Sequence, residues 1–249
     1  MRAVMNALPQ ESIVYLGDTA HYPYGDKSRS TIIRYSIENA IFLMEQHIKM
    51  LVVPCNTATA YAVEKLRRIF NIPVIGVIEP GAEKAVQVSR NKRIAVLATR
   101  ATVQSGVYQS EIHRRLPGAE VFAIACPLFV PMVEEKWMHH PATRLVVKEY
   151  LHTLRDKNID TVLLGCTHYP LLRALIQEEV GDDVAIVDSA QTCAETVADI
   201  LDQEVLRATS TQQAAHRFFV SDDPQKFQHL GSEILGMSIE SVSLKDPKD

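Results

Sequence analysis

Two cysteines, Cys55 and Cys166, lie in closely similar settings along the chain. Each follows a short apolar run, residues 50–53 and 161–164, and each precedes polar residues that open a helical pattern. An apolar run of about 4–8 residues between turn signals is typical of a buried strand. A thiol at the carboxyl end of such a strand lies near the amino end of the next helix, where backbone N–H groups favour anions and lower the pKa of a thiol.

Two thiols in this setting could serve as a paired acid and base, because the pKa of a thiol lies near neutrality and responds to its surroundings. The alternative is that both are inert core cysteines, which are common in proteins. Open α/β sheets bind ligands at the carboxyl ends of their strands, and this position is compatible with both interpretations. The repeated setting suggests two similar lobes that face each other.

Strands alternate with helices along most of the chain, and this alternation predicts an α/β fold with mainly parallel sheets. The predicted strands are 12–18, 50–53, 73–77, 92–99, 120–125, 161–164, 184–188, 216–220 and 238–242. The predicted helices are 2–8, 28–47, 57–70, 103–116, 142–156, 169–179, 192–206 and 225–235, with a short helix around Glu134 and a break at 79–81.

The composition is that of an ordinary globular protein. The chain of 249 residues is 47% hydrophobic and can bury a core in one large or two ordinary domains. Its formal net charge of −4 gives no electrostatic reason to expect nucleic-acid binding, and no apolar stretch approaches the ~18 residues of a membrane span. Four cysteines without a CxxC pair predict free thiols in a cytoplasm. The adjacent His139 and His140 do not share a helix face, so we expect no metal site.

Other polar residues follow predicted strands and have both a structural and a functional interpretation. Tyr24 and Gly25 form part of a stiff turn with an aromatic hydroxyl and a close backbone approach, although an ordinary tight turn is the alternative. Thr99 and Thr102 can cap a helix or bind an anion, and the pattern favours capping. The default interpretation of Glu134 is a solvated helix face.

The segments Cys-Asn-Thr-Ala at 55–58 and Gly-Cys-Thr-His-Tyr-Pro at 165–170 resemble the motifs of bacterial glutamate racemases, within the aspartate/glutamate racemase family. Supporting segments are Gly-Asp-Thr-Ala at 17–20, Pro-Tyr-Gly at 23–25, Ile-Gly-Val-Ile-Glu-Pro-Gly at 75–81, Ala-Thr-Arg-Ala-Thr-Val at 98–103, Cys-Pro-Leu-Phe-Val-Pro-Met-Val-Glu at 126–134 and Val-Asp-Ser-Ala at 187–190. The resemblance implies two doubly wound α/β lobes, residues 1–79 with 189–249 and residues 80–188, with the site in the cleft between them.

The resemblance also implies racemisation of glutamate without a cofactor or metal. One thiolate would remove the α-proton while the opposite thiol returns one, with Cys166 acting on the L-enantiomer and Cys55 on the D-enantiomer. His168 would assist Cys166, and Glu134 would orient the histidine. The residues expected to bind the substrate are Tyr24, Gly25, Asn56, Thr57, Thr102, Thr167 and His168. The product D-glutamate would supply peptidoglycan synthesis, and so cell shape, in a bacterial cytoplasm, and family members are often homodimers.

One departure from the family pattern concerns the start of the chain. Family members begin with a strand that ends in Asp-Ser-Gly, before the helix that corresponds to residues 2–8, and this sequence contains no such segment there. The aspartate of that segment assists the first cysteine, so we expect weak or no activity, with Cys55 the more affected thiol. Alternatives are a racemase for aspartate or another amino acid, a catalytically inactive amino-acid-binding protein, and a thiol-redox protein, which the absence of CxxC disfavours.

Overall fold

A computed structural model describes residues 1–209 and 214–245. Its strands are β1 (Val14–Gly17), β2 (Leu51–Val53), β3 (Val74–Gly76), β4 (Arg93–Ala98), β5 (Glu120–Ala125), β6 (Thr161–Gly165), β7 (Ala185–Asp188), β8 (Arg217–Val220) and β9 (Ser243–Leu244). Its α-helices are α1 (Arg2–Ala7), α2 (Arg29–Glu45), α3 (Asn56–Ile69), α4 (Ile78–Val88), α5 (Arg100–Ser105), α6 (Val107–Arg115), α7 (Phe129–Glu134), α8 (Pro141–Leu151), α9 (Arg173–Val180), α10 (Ser189–Gln203) and α11 (Pro224–Leu235). Short 3-10 helices span Tyr24–Asp26, His152–Leu154 and Tyr169–Leu172. Every strand pairing found among these residues is parallel, which confirms the predicted fold class.

The largest sheet has four strands in the order β5-β4-β6-β7. Successive residues of β4 face opposite sides of this sheet, because side chains alternate along a strand. Ile94 and Val96 pack with residues of α4 and α6, whereas Ala95 and Leu97 pack with residues of α7, α8 and α9. A continuous apolar run therefore fills two cores, one on each face, as expected for a parallel sheet covered by helices on both sides.

The other strands form two smaller sheets, β1-β8-β9 and β2-β3. In the first, β1 from the start of the chain pairs with β8 from its end. After β7 the chain returns along α10, which packs against α1 and α4. Below, "first lobe" denotes residues 1–79 with 189–245, and "second lobe" denotes residues 80–188. This division stays a prediction, and residues 246–249 lie outside the described part of the chain.

The carboxyl ends of three strands lead directly into residues of interest. Cys55 follows β2 at the amino end of α3, and Thr99 follows β4 at the amino end of α5. Cys166 follows β6, and the neighbouring strands β4 and β6 pair with Ala98 opposite Gly165. Thr99 and Cys166 therefore lie side by side at the carboxyl-terminal edge of the large sheet, where open α/β sheets bind ligands.

Three predictions differ from the structure in more than the end residues of an element. The break at 79–81 lies inside α4, because a proline in the first turn of a helix removes no intrahelical hydrogen bond. The predicted helix 103–116 is divided at Gly106, whose φ of 67° ends α5 in a left-handed conformation. The predicted strand 238–242 is wrong, since the carbonyl of Ile239 accepts a hydrogen bond from the Gln228 side chain and the strand begins only at Ser243. Among the helices of residues 1–209 and 214–245, none has both the length and the apolar character needed to cross a membrane.

Candidate active site

Cys55 caps the amino end of α3. Its Sγ accepts a hydrogen bond from the Ala58 N–H over 3.5 Å. Burial raises the pKa of the Cys55 thiol, and hydrogen bonds from the Ala58 and Thr57 backbones and from the Thr57 hydroxyl oppose that rise. Within residues 1–209 and 214–245, no imidazole and no carboxylate hydrogen-bonds to this sulfur. In this part of the chain the first thiol is therefore supported by N–H and O–H donors, without an imidazole or carboxylate hydrogen-bonded to its sulfur.

Cys166 occupies the corresponding position after β6. The backbone N–H groups of Thr167, His168 and Tyr169 lie near its sulfur and favour the thiolate form. Burial raises the pKa of Cys166 to about 12, those N–H groups oppose the rise, and the charge of Cys55 adds to it. The two thiols are therefore close enough for the ionisation of one to disfavour the ionisation of the other.

A chain of polar side chains extends from Cys166. His168 Nδ1 lies 3.9 Å from the Cys166 Sγ, and His168 Nε2 lies 2.6 Å from Glu134 Oε1. The hydrogen bond with His168 lowers the pKa of Glu134, against the effect of burial. The other oxygen of Glu134 lies 3.5 Å from the Tyr22 hydroxyl. A carboxylate behind an imidazole orients the ring and stabilises its cation, so this arrangement can assist proton transfer at the thiol.

Three threonine hydroxyls form a buried cluster beside the first thiol. The Oγ1 atoms of Thr57, Thr99 and Thr102 lie 3.0 Å from one another. Thr99 also accepts from the Thr102 N–H at the start of α5, so the predicted capping is confirmed. The cluster joins α3 to α5 and sets several hydroxyl groups at one place, where they can donate hydrogen bonds to a carboxylate.

The turn containing Tyr24 and Gly25 packs against this cluster. A Cβ atom added at Gly25 would lie 2.7 Å from Thr99 Cβ, so only glycine fits without displacing Thr99. The Tyr24 hydroxyl donates to Asp18 and accepts a hydrogen bond from Asn39 Nδ2 over 3.2 Å. Burial raises the pKa of Tyr24, with the hydrogen bond to Asp18 and the charge of Cys55 adding to the rise. The predicted turn therefore lies beside the first thiol.

Asn56, the residue after Cys55, is 3% exposed. Its Oδ1 accepts a hydrogen bond from the Tyr108 hydroxyl over 2.5 Å. Its Nδ2 is buried and has no hydrogen-bond partner among residues 1–209 and 214–245. Because buried polar groups normally find partners, this free donor marks a position where a bound acceptor would fit.

These contacts bring the predicted site residues into one region around the two thiols. The predicted residues in this region are Tyr24, Gly25, Cys55, Asn56, Thr57, Thr102, Glu134, Cys166, Thr167 and His168. Three further residues, Asp18, Thr99 and Tyr108, contact them directly. The region offers two thiols, one imidazole–carboxylate pair and many uncharged donors, which suits proton transfer on an anionic substrate. The described residues contain no cluster of three or more His, Cys, Asp or Glu side chains arranged to hold a metal ion.

Sequence comparisons identify a family of amino-acid racemases. A family model described as Asp/Glu/Hydantoin racemase matches residues 2–197. The glutamate racemase of Geobacter metallireducens is 48% identical over 243 residues, which are 97% of this chain and 90% of that protein. The glutamate racemase of Neisseria meningitidis serogroup A is 46% identical over 245 residues, which are 98% of this chain and 90% of that protein.

Solved structures agree with the sequence relatives. A glutamate racemase from Bacillus anthracis superposes with a TM-score of 0.94 at 37% identity, covering 98% of this chain and 91% of that one. The glutamate racemase from Francisella tularensis, crystallised with D-glutamate, superposes with a TM-score of 0.92 at 35% identity and the same coverage of 98% and 91%. The chain therefore belongs to the Asp/Glu/hydantoin racemase family, and within that family it groups with the glutamate racemases.

Proposed function

We propose that this protein interconverts L-glutamate and D-glutamate without a cofactor, by proton transfer between two thiols and the α-carbon. The observation that carries the proposal is the pair of thiols, partly buried Cys55 and buried Cys166, each just after a strand, with Cys55 close enough for its charge to raise the pKa of Cys166. Relatives that are glutamate racemases support glutamate as the substrate. The related protein of Francisella tularensis binds D-glutamate, and that of Escherichia coli, 27% identical with a TM-score of 0.80, binds L-glutamate.

The pKa values of the two thiols support this chemistry. Burial raises the pKa of both above the ordinary value of a cysteine, so both thiols of the free protein carry protons at neutral pH. The ammonium group of a bound amino acid would favour the thiolate form of a nearby cysteine. Because the charge of Cys55 raises the pKa of Cys166, two thiolates together are disfavoured. One thiolate facing one thiol is the protonation state that inversion of an α-carbon requires.

The side chains around each thiol suggest which enantiomer it serves. We assign proton removal from L-glutamate to Cys166, with His168 accepting or stabilising the proton and Glu134 orienting the imidazole. Cys55 then returns a proton on the opposite face of the α-carbon, and the roles reverse for D-glutamate. This assignment follows the family resemblance, and the 3.9 Å approach of His168 to Cys166 supports it.

The donors around the thiols suit a dicarboxylate substrate. We propose that the Asn56 amide and the hydroxyls of Thr57 and Thr102 bind one carboxylate, because they are uncharged donors at the amino ends of α3 and α5. The turn residues Tyr24 and Gly25, together with the segment Thr167–His168, supply further polar groups. Neutral donors bind a carboxylate without forming an ion pair, so the substrate can leave after the reaction.

The resemblance to glutamate racemases also suggests a metabolic role and an oligomeric state. We propose that the D-glutamate product feeds peptidoglycan synthesis in a bacterial cytoplasm, and that the protein forms a homodimer. Growth of a D-glutamate auxotroph on a plasmid carrying this chain tests the first proposal. Light scattering of the purified protein tests the second.

The decisive experiment is proton NMR of the purified chain with L-glutamate, and separately D-glutamate, in deuterated buffer. Loss of the α-proton signal from both enantiomers supports racemisation, and a variant with both Cys55 and Cys166 replaced by alanine is the control. Parallel incubations with L- and D-aspartate test the alternative substrate. A folded chain that binds glutamate without any exchange would overturn the proposal in favour of an inactive binding protein.

A further inference from the structure

Tyr108 is a buried residue of α6 that contacts the strand carrying the second thiol. It is 1% exposed. A Cβ atom added at Gly165, the residue before Cys166, would lie 3.0 Å from Tyr108 Cε2, so the ring fills the space that a side chain at position 165 would need. Burial raises the pKa of Tyr108, and the charge of Cys166 adds to the rise. The ring therefore packs directly against Gly165, the residue that precedes Cys166.

The hydroxyl of Tyr108 contacts the residue that follows the first thiol. It donates to Asn56 Oδ1 over 2.5 Å, and Asn56 directly follows Cys55 in the first turn of α3. Cys55 and Asn56 belong to the first lobe, whereas Tyr108, Gly165 and Cys166 belong to the second. One side chain thus connects the backbone segments that hold the two thiols.

The hydrogen bond also decides which end of the Asn56 amide remains available. A side-chain amide has an acceptor oxygen at one end and an NH2 donor at the other, and a tyrosine hydroxyl has one proton to donate. Because Oδ1 accepts that proton, Nδ2 is the free end, and it has no partner in the described residues. A buried donor without a partner is costly, and a ligand carboxylate would remove that cost.

We infer that Tyr108 is a positioning residue that holds the Asn56 amide with its NH2 group free to donate to the carboxylate of the substrate. The inference rests on the proposed function, since it assigns Asn56 to the same glutamate site. Without the hydroxyl, Oδ1 loses its donor and the amide can rotate to seek another, so the NH2 group is no longer held for the ligand. The bound carboxylate is present in both enantiomers, so both should feel the loss equally.

The test is the Tyr108→Phe variant, which keeps the ring against Gly165 and removes only the hydroxyl. Tyr61→Phe is the matched control, because the Tyr61 hydroxyl also joins α3 to another helix, α5, but donates to the Ala101 carbonyl over 2.8 Å and not to Asn56. We expect Tyr108→Phe to raise KM and the calorimetric Kd about tenfold for both L- and D-glutamate, with kcat within about twofold. Tyr61→Phe should leave all these constants unchanged.

A role limited to core packing predicts different results. The thermal midpoint would then fall and the active fraction would decrease, while KM and Kd stayed unchanged, and that result would overturn the inference. A double-mutant cycle adds a second test: in the Asn56→Ala background, Tyr108→Phe should have almost no further effect on Kd if it acts through Asn56. Additive effects of the two substitutions would also overturn it.

The same measurements separate this inference from the proposed function. A chain that binds glutamate but never exchanges the α-proton would overturn racemisation, while Kd would still report the effect of the Tyr108 hydroxyl. A chain that racemises glutamate with the same KM before and after Tyr108→Phe would overturn the positioning role alone. A chain that binds no glutamate would overturn both.

Discussion

Cys55 and Cys166 share one part of their surroundings and differ in another. Both sulfurs follow a parallel strand, and backbone N–H groups of the segment that comes next lower the pKa of both thiols, against the effect of burial. At Cys55 these groups are free because the first N–H groups of α3 have no partner within the helix. The strand-to-helix architecture therefore supplies the same anion-stabilising surroundings twice.

The difference lies in the side chains behind each thiol. Cys166 has an imidazole 3.9 Å away, and that imidazole contacts the Glu134 carboxylate at 2.6 Å. Among residues 1–209 and 214–245, Cys55 has only the Thr57 hydroxyl and backbone donors. An imidazole–carboxylate pair can take up and return a proton, whereas a threonine hydroxyl can only stabilise a thiolate that forms by another route. The comparison shows that backbone N–H groups favour the thiolate form of either cysteine. Transfer of a proton through His168 at Cys166 depends in addition on Glu134, a residue of α7.

Replacing each thiol by a hydroxyl should produce the largest effects and should separate the two halves of the site. We expect Cys166→Ser to slow α-proton exchange from L-glutamate by about 10²–10⁴-fold, because the base that removes that proton is lost, while exchange from D-glutamate continues at Cys55. Cys55→Ser should give the reverse pattern. Proton NMR in deuterated buffer, with each enantiomer separately, measures both rates.

The control for these variants is Cys193→Ala. Cys193 is buried in the core between α10 and β3, outside the site, so exchange should remain within about twofold of the unchanged chain. Equal slowing of both enantiomers by Cys166→Ser would contradict the assignment of one thiol to each face of the substrate.

Removing the Glu134 carboxylate that contacts His168 should make the surroundings of Cys166 more like those of Cys55. In Glu134→Gln the imidazole loses the anion that orients it and stabilises its cation. The rate of α-proton exchange from L-glutamate should therefore fall about ten- to a hundredfold. The rate of α-proton exchange from D-glutamate should fall less, because Cys55 has no such partner in the described chain. Glu135→Gln is the matched control, since Glu135 is the adjacent exposed glutamate. An equal decrease for both enantiomers would mean that Glu134 affects both thiols and does not act only on Cys166 through His168.

Sequence patterns predicted these local arrangements well. The apolar runs before Cys55 and Cys166 are short and bounded by turn residues, so they identify strands and place each thiol at a strand end. The resemblance named His168 and Glu134, and the structure brings them into contact with each other. The division at Gly106 could not be predicted, because an isolated glycine within an apolar helical pattern is also tolerated in one continuous helix.

Contacts between distant segments could not be predicted from residue patterns. The sequence indicated that Thr99 caps a helix or binds an anion, with capping favoured, and its contact with Thr57 depends on how α3 approaches α5. Tyr108 has the spacing of an ordinary core aromatic in α6, and nothing in its neighbours along the chain indicates that its hydroxyl reaches Asn56. A polar partner contributed by another element becomes visible only when the elements have been packed together.

The pH dependence should sharpen the comparison further. Because burial raises the pKa of both thiols, the form that removes a proton is the minor form at neutral pH. We therefore expect kcat/KM for each enantiomer to rise with pH, roughly tenfold per unit between about pH 6.5 and 8. A rate that is flat across this range would indicate that a thiolate already exists in the free enzyme. The slope should be preserved in Glu134→Gln if that carboxylate acts by orienting His168 rather than by ionising Cys166.

The smallest expected effect concerns the polar network beneath Tyr24, on the side of Cys55. Burial alone would raise the pKa of Asp18, but hydrogen bonds from Tyr24, His21 and Ser221 outweigh it and lower that pKa. Asp18→Asn replaces one acceptor oxygen by a donor, so Tyr24 loses its fixed position. We expect KM to rise about threefold for both enantiomers and the thermal midpoint to fall by about 2–4 °C at neutral pH.

The pH at which the midpoint is measured distinguishes a charge effect from a change of shape. The lowered pKa of Asp18 means that its contribution to stability is present above the pKa of an unfolded aspartate and is lost as the pH falls through the folded-state pKa. The difference in midpoint between the unchanged chain and Asp18→Asn should therefore shrink below about pH 4. Asp156→Asn, at an exposed position, is the control and should show no difference at either pH. A difference that persists in acid would mean that the carboxylate matters here for its packing, and that the ordering of Tyr24 does not depend on its charge.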